Sequence, residues 1–368
     1  MGRVTRTDRD IAMKGGGYYS LATTGAKDVI DGGTPMVLEA IAAMDIPDDG
    51  HLFTMTDMGC ADGGTSIGLI GKVLEEIRRR APSRPIRMVY TDLPRNDFSQ
   101  LFRVIHGQTD IRSFLEDIPD LYVYASATSF HKAIFPPGTL DFGFSATASH
   151  YISEKPGNIS DHVHMVGAHG AEREAYEQQG RKDWEVMLTN RAVELVPGGR
   201  LAFFNFGIDE QGRYLGNTGG VSMFDTFDEI WAQLGEDGVI TRDEYLNTNF
   251  PQCYRTVEQF TAPLKDPANP VYRAGLRLEH VETRVVPCPF AKDFAGHGDS
   301  DRFAMDYIPT LRSWSESTFM TGLSADRPPD EQREIIDRFY DTYEERVRQA
   351  PQGHAMDYVH IYLICSKT

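Results

Sequence analysis

Residues 52–66 read LFTMTDMGCADGGTS, and the reading of this stretch decides the fold. Residues 52–58 are a short apolar run of strand length that carries an acid, Asp57, near its end. The chain then breaks into small residues, Gly59, Ala61, Gly63 and Gly64. From Thr65 a run, SIGLIGKVLEEI, places apolar residues at roughly helical spacing. Strand, tight small-residue turn and helix start together make a nucleotide-cofactor site, because small residues let the backbone approach a ligand closely. A second strand, IRMVYT at 86–91, follows and runs into Asp92. An acid at the tip of the second strand is where a pair of ribose hydroxyls is held. The alternative reading is a strand-to-helix turn that binds nothing. The turn is not the G-x-G-x-x-G of dinucleotide oxidoreductases, since Ala61 holds its middle position.

Working outward, strands and helices alternate. Residues 34–44, TPMVLEAIAAM, read as an amphipathic helix with Thr34 as N-cap and Pro35 at its first position. Asn96 or Asp97 caps a helix beginning FSQLFRVI. Strands are expected at 121–125, 140–144 and 200–206, with a helix at 184–196 stopped by Pro197-Gly198-Gly199. This alternation predicts a doubly wound α/β sheet. Function then belongs at the loops beyond the carboxyl ends of the strands, which hold Asp57, Asp92, Ser129, Phe130, His150 and Tyr151. Residues 208–349 are mostly helical in pattern, with an extra strand in LRLEHVETRVVPCP. The expected organisation is a core of 1–207 plus 350–368 and a mostly helical cap of 208–349. Residues 13–33, with three glycines before Tyr18 and Tyr19, read as a segment covering the site, and 157–182 as a possible lid.

The chain has 37 basic and 54 acidic residues among 368, a net charge of −17. That argues against nucleic acid as a partner, since phosphate binding needs a basic face. An anionic substrate must be held by local donors against the overall field. No apolar run is long enough to span a bilayer and no signal-peptide pattern opens the chain, so no membrane partner is expected. Cys60, Cys253, Cys288 and Cys365 are scattered without a C-x-x-C and read as reduced thiols of a cytoplasmic protein.

Six stretches, in order, resemble one family: MKGGGYYSLA, DMGCADGGTS, DLPRNDFSQLF, SFHKAIFP, SHYISEKP and NRAVELVPGGRLAF. The chain is similar to the salicylate, benzoate and theobromine methyltransferases (the SABATH family). LNTNFPQCYRTVEQF and the closing DYVHIYLICSK resemble that family more faintly. Asp57 to Gly63 also fits the D-x-G-x-x-x-G turn of S-adenosylmethionine (SAM) methyltransferases. The resemblance implies a Rossmann-like sheet with helices on both faces, a helical cap over the active site, SAM as cofactor and a homodimer. It implies methyl transfer from SAM to a carboxylate or, in one plant branch, to a purine nitrogen.

Carried over by position, the resemblance puts Ser20 beside the cofactor's amino-acid end. It puts Asp57, Gly59 and Cys60 at the first turn, Asp92 and Leu93 at the ribose and adenine edge, and Ser129 and Phe130 around the adenine. His150 and Tyr151 fall where the family's His-Trp pair faces the substrate carboxylate. Two departures follow. Tyrosine replaces the family's tryptophan at 151, and the glutamine that pairs with it has no match in SLATTGAKDVI. An ungapped alignment puts Asp28 there, and an acid would repel a carboxylate. A two-residue shift, with Lys27, Tyr18 or Tyr19 helping instead, is the better reading. Thr147 stands where the family often has an aromatic residue, which leaves room for an aliphatic acid.

A carboxylic acid of intrinsic pKa near ~4 is already ionised at neutral pH and needs no general base. The expected activity is therefore carboxyl methylation of a small apolar acid, either a fatty acid or an aryl or indolyl acid, with no metal in the chemical step. A phenol or heterocyclic nitrogen would need a base, and His150 is the one candidate. A SAM-binding protein without catalysis is the third reading. His162, His164 and His169 lie close enough in sequence to suggest zinc, but no cysteine is near. The stripe of Phe303, Ile308, Leu311, Trp314 and Phe319 lines a pocket or forms ordinary cap core.

Overall fold

The computed structural model describes residues 5–6 and 24–368. In chain order the elements are β1 (Thr5–Arg6), α1 (Thr24–Ala42), β2 (Phe53–Met58), α2 (Ile67–Arg80), β3 (Ile86–Thr91), α3 (Phe98–Ile105), β4 (Leu121–Ser126), β5 (Leu140–Ala146), β6 (Glu154–Lys155), α4 (Gly170–Glu194) and β7 (Leu195–Ile208). There follow α5 (Met223–Glu236), α6 (Arg242–Asn247), β8 (Arg255–Thr256), α7 (Val257–Lys265), α8 (Pro270–Arg273), β9 (Leu276–Val286), α9 (Pro289–His297), α10 (Ser300–Gly322), α11 (Pro329–Gln349) and β10 (Tyr358–Lys367).

The main sheet has the order β4-β3-β2-β5-β7-β10-β9. Strands β2, β3, β4, β5 and β7 run parallel to their neighbours among themselves. β10 is inserted antiparallel between β7 and β9. The chain builds outward from β2 in one direction, returns, and builds from β5 in the other. The switch point is thus the gap between β2 and β5, where ligands of open α/β sheets bind. It brings the turn after Met58 beside the loop after Ala146. One buried cluster lies between the sheet, α1, α2 and the cap. A second lies on the opposite face, where Trp184 and Leu188 of α4 meet Phe203 and Phe260. The helices therefore cover both faces, as the alternation predicts.

Three expected elements need correction. Thr34 is not an N-cap: α1 begins at Thr24 and runs through Pro35. The Thr34 hydroxyl donates back to the Ile30 carbonyl at 3.0 Å. Two glycines inside α1, Gly25 and Gly33, are there for packing. A Cβ on Gly25 would stand 2.2 Å from the Tyr358 ring, and one on Gly33 2.4 Å from the Phe204 ring. The helix expected at 184–196 starts at Gly170 and ends at Glu194, because Leu195 is already extended and pairs with Leu140. The extra strand, β9, belongs to the main sheet rather than to the cap, with Tyr358 opposite Val286 and Lys367 opposite Leu276.

The cap proper is α5, α6, α9, α10 and α11. Its centre is a nest of rings: Phe227 packs on Phe250, Phe319 and Phe339, and Trp231 stands on Phe319 at 4.9 Å. Phe303, Ile308, Leu311 and Phe319 are buried in this core, and Trp314 lines a cavity. Ile159, Val163, Met165 and Ala168 are buried, and the Phe250 N–H donates to the Val163 carbonyl at 2.8 Å. No described helix is long and apolar enough to cross a membrane.

Candidate active site

The turn after β2 is built by backbone geometry. Gly59 and Gly63 have φ of +78° and +74°. Their missing side chains leave room for neighbours, since a Cβ on Gly59 would lie 2.5 Å from Cβ of Ala148 and one on Gly63 2.6 Å from Leu101. Ala61 is also left-handed, at φ 48°, a conformation that costs a non-glycine residue about 1 kcal/mol or more. Asp92 holds it there: Oδ2 accepts the Ala61 N–H at 2.8 Å and Oδ1 accepts the Leu93 N–H at 2.7 Å. Asn96 closes the same turn by donating to the Ala61 carbonyl at 2.8 Å. Of the two candidate caps, Asp97 caps α3, accepting the Gln100 N–H at 3.0 Å.

Asp57 is buried at the tip of β2 and accepts a hydrogen bond from Ser66 at 2.5 Å. Burial first, and then the Asp92 charge, push its carboxyl up to about 7 against the favourable Ser66 bond. Burial also raises Asp92. Burial and the Asp92 charge raise the Cys60 thiol. Phe130 stands on the other side of the turn, its ring 3.8 Å from where a Gly59 Cβ would be. Its loop is clamped by Arg191, which donates to the carbonyls of Phe130 and Lys132 at 3.1 and 2.8 Å. Ser129 accepts the His131 N–H in that loop at 3.3 Å. The switch point thus brings Asp57, Gly59, Cys60, Asp92, Leu93 and Phe130 to one place. Ser20, Tyr18 and Tyr19 lie outside the described residues.

Beside this turn is a narrow cavity. The sheet side supplies Thr147, His150, Tyr151, Phe206 and Tyr358; α1 supplies Ala26; the cap side supplies Leu215, Gln252, Tyr254, Trp314 and Met356. Thr147 is strained, a β-branched residue at φ 55°, and is pinned by its N–H to the Phe204 carbonyl at 2.8 Å. Its hydroxyl meets His360 Nε2 at 3.3 Å. The His150 ring lies 4.3 Å from Tyr151, 4.9 Å from Phe206 and 5.9 Å from Tyr254. Burial, reinforced by His360, His164 and Arg255, pushes His150 well below the ordinary histidine range, so it is neutral. Its Nδ1 and the Tyr254 hydroxyl are buried without partners among the described residues. Orphaned polar atoms at a cavity wall are what a polar ligand group satisfies.

Lys27 does not reach this cavity. It is exposed on α1 and ion-paired with Asp31, one turn on, while its neighbour Ala26 faces inward. Asp28 is exposed as well. Sequence reasoning missed Phe206, Leu215, Gln252, Tyr254, Met356 and Tyr358. The signal lay in the two faintly similar stretches, 246–260 and 357–367, which hold Gln252, Tyr254 and Tyr358. The histidines do not converge: His164 stacks on Phe224 at 3.9 Å and His162 faces Asp225. Among the described residues no group of three His, Cys, Asp or Glu side chains is placed to hold a metal.

Residues 8–368 match the family model described as SAM dependent carboxyl methyltransferase. Gibberellic acid methyltransferase 2 of Arabidopsis thaliana is 26% identical over 62% of this chain and 63% of its own length. Salicylate carboxymethyltransferase of Clarkia breweri is 24% identical over 83% of this chain and 85% of its own. The chain thus spans slightly under two thirds of the first of these relatives. A solved loganic acid methyltransferase with SAH superposes with a TM-score of 0.76 at 20% identity, covering 97% of this chain and 99% of that one, and shares the fold. With a glycine turn and two acids at the switch point and an aromatic cavity beside them, the chain belongs to the family of SAM-dependent carboxyl methyltransferases.

Proposed function

We propose that the protein transfers the methyl group of SAM to the carboxylate of a small apolar monocarboxylic acid, giving a methyl ester and S-adenosylhomocysteine. The observation that carries this reading is the cavity beside the glycine turn. It is aromatic and apolar, and its polar atoms are uncharged: His150, Tyr151, Gln252, Tyr254, Tyr358 and Thr147. Its apolar and aromatic lining favours a fatty acid or a single aryl or indolyl acid. Among the described residues no lysine or arginine lines it, so these residues would leave a second anionic group on the substrate uncompensated.

The cofactor fits the residues present. The left-handed turn at Gly59 and Gly63 and the buried Asp57 suit a cationic nucleoside. Asp57, Gly59 and Cys60 would hold its amino-acid side, Asp92 and Leu93 its ribose, and Ser129 and Phe130 its adenine. When bound, SAM supplies a methyl carbon already activated by its sulfonium. The protein's own task is then to align an ionised oxygen with that carbon and exclude water, and alignment supplies up to ~7–11 kcal/mol. His150 and Tyr151 orient the acid from the sheet side. A phenol or ring nitrogen needs a proton acceptor, and a histidine held well below its ordinary range is a poor one. This favours the carboxylate over those acceptors. A homodimeric, cytoplasmic enzyme is part of the proposal, in keeping with four buried, unpaired cysteines.

The test is the rate of S-adenosylhomocysteine release with matched acids, phenols and amines of similar chain or ring. Turnover confined to the acids supports the reading. Turnover with phenols or amines in preference to acids overturns it.

A further inference from the structure

Ala26 is the residue that α1 presents to the cavity, and its methyl cannot donate a hydrogen bond. The glutamine without a match in SLATTGAKDVI has no counterpart elsewhere on α1, which contains none. A second glutamine stands on the opposite wall. Gln252 lies in an extended segment that bridges Tyr151, so residues 252 and 254 project to one face and 253 to the other. Accordingly Gln252 and Tyr254 line the cavity, while Cys253 packs on Gly180, 2.4 Å from where a Cβ there would be.

The orientation of the Gln252 amide follows from a chain of hydrogen bonds. The Val166 N–H points at Nδ1 of His164 at 3.2 Å, so Nδ1 is the acceptor. His164 is buried and neutral, so its one ring proton is on Nε2. Nε2 faces Oε1 of Gln252 at 3.2 Å, and donates to it. The stack on Phe224 and the approach of Tyr254 at 4.8 Å fix the ring. With Oε1 committed to His164, the amide nitrogen has no hydrogen-bond partner among the described residues. The adjacent Tyr254 hydroxyl is likewise buried without one.

We propose that Gln252 and Tyr254 are the carboxylate-holding edge of the pocket, with the Gln252 amide N–H aimed by His164, the cap wall replacing the donor that α1 has lost. The proposal rests on the carboxylate reading above. His164 is a positioning residue, since it acts through Gln252. The clamp uses neutral donors alone, so it selects a single carboxylate over its uncharged isostere by the strength of hydrogen bonds to a charge.

The experiment is calorimetric titration of the S-adenosylhomocysteine complex with indole-3-acetate and octanoate, each beside its amide, indole-3-acetamide and octanamide. Tyr254→Phe removes only a hydroxyl that has no partner, so the fold should be unaffected. It should weaken the acids about threefold to tenfold and the amides less than twofold. Gln252→Met should weaken the acids tenfold or more, and Gln252→Glu more still, with S-adenosylhomocysteine affinity unchanged in all three. His164→Phe, which keeps the stack on Phe224 and frees the amide, should fall between wild type and Gln252→Met. Equal losses for acid and amide would mean that these side chains only shape the wall, and no loss in Tyr254→Phe and His164→Phe would overturn the clamp. Selective acid binding by wild type without ester formation would sink the carboxyl-transfer reading and leave the clamp standing. Wild type that binds no acid would overturn both.

Discussion

Ser66 donates its hydroxyl hydrogen to Oδ2 of Asp57 at 2.5 Å, and this is the sole side-chain hydrogen bond that Asp57 receives among the described residues. A single hydroxyl does not offset the burial of a carboxylate, so the group titrates at about 7. A cation bound in the turn favours its ionised form. At pH 6 about one tenth of Asp57 is ionised and at pH 8 about nine tenths, by ordinary titration. The ratio of SAM affinities, wild type over Asp57→Asn, should rise about tenfold from pH 6 to pH 8. Taking the ratio cancels titration of the cofactor's own amine. Without cofactor the sign reverses. A carboxyl raised above its ordinary 3.8 stabilises the fold fully below that value and loses the contribution as pH climbs to about 7. A flat affinity ratio would remove Asp57 from the cofactor's surroundings.

Asp92→Ala should weaken SAM by more than about 1 kcal/mol, the scale of hydrogen bonds to a charged group. Two effects combine here. The acceptor proposed for the ribose is lost, and the Ala61 and Leu93 N–H groups that shape the turn lose their partner. Isothermal titration measures it, and unchanged affinity would refute the ribose assignment.

Arg191 and Glu194 form a buried ion pair at 2.6 Å, and Glu194 also accepts the Ile134 N–H at 2.7 Å. Glu194→Gln leaves a buried guanidinium without its counter-charge. Breaking such a pair costs about 3–5 kcal/mol. Denaturant unfolding should show that loss. Because Arg191 also holds the Phe130 carbonyl, SAM affinity should fall with it.

His150→Ala should raise KM for the acid and leave SAM affinity alone. At saturating SAM, kcat/KM for the acid should be flat between pH 6.5 and 8.5, since His150 is neutral throughout. A rate that climbs with pH over that range would instead indicate a base or an acceptor that must lose a proton.

Much of this arrangement is legible in local sequence. The strand, the turn and Asp92 are read from residues whose conformations local chemistry dictates: glycines at positive φ, an acid at a strand tip, an aspartate cap on α3. What is not legible depends on tertiary packing. Gly25 and Gly33 look like helix breakers and are in fact contact points where α1 presses on Tyr358 and Phe204. The strand at Leu276–Val286 is visible in the sequence, but its place beside β10 is not, because pairing partners 72 to 91 residues apart leave no local mark. The cap wall of the site is hidden for the same reason. Gln252 and Tyr254 meet His150 only once the segment bridges Tyr151. Lys27 has the right charge in the right helix and points to the wrong side.

The central claim is that the methyl group ends on a carboxylate oxygen. The most direct test is incubation with methyl-13C SAM and a panel of fatty, aryl and indolyl acids, followed by carbon-detected magnetic resonance before and after mild alkali. The account predicts a labelled methyl-ester signal with at least one acid, lost as labelled methanol on hydrolysis. A labelled methyl that survives alkali as an ether or an N-methyl group, or no labelled product at all from protein that binds SAM, would contradict it.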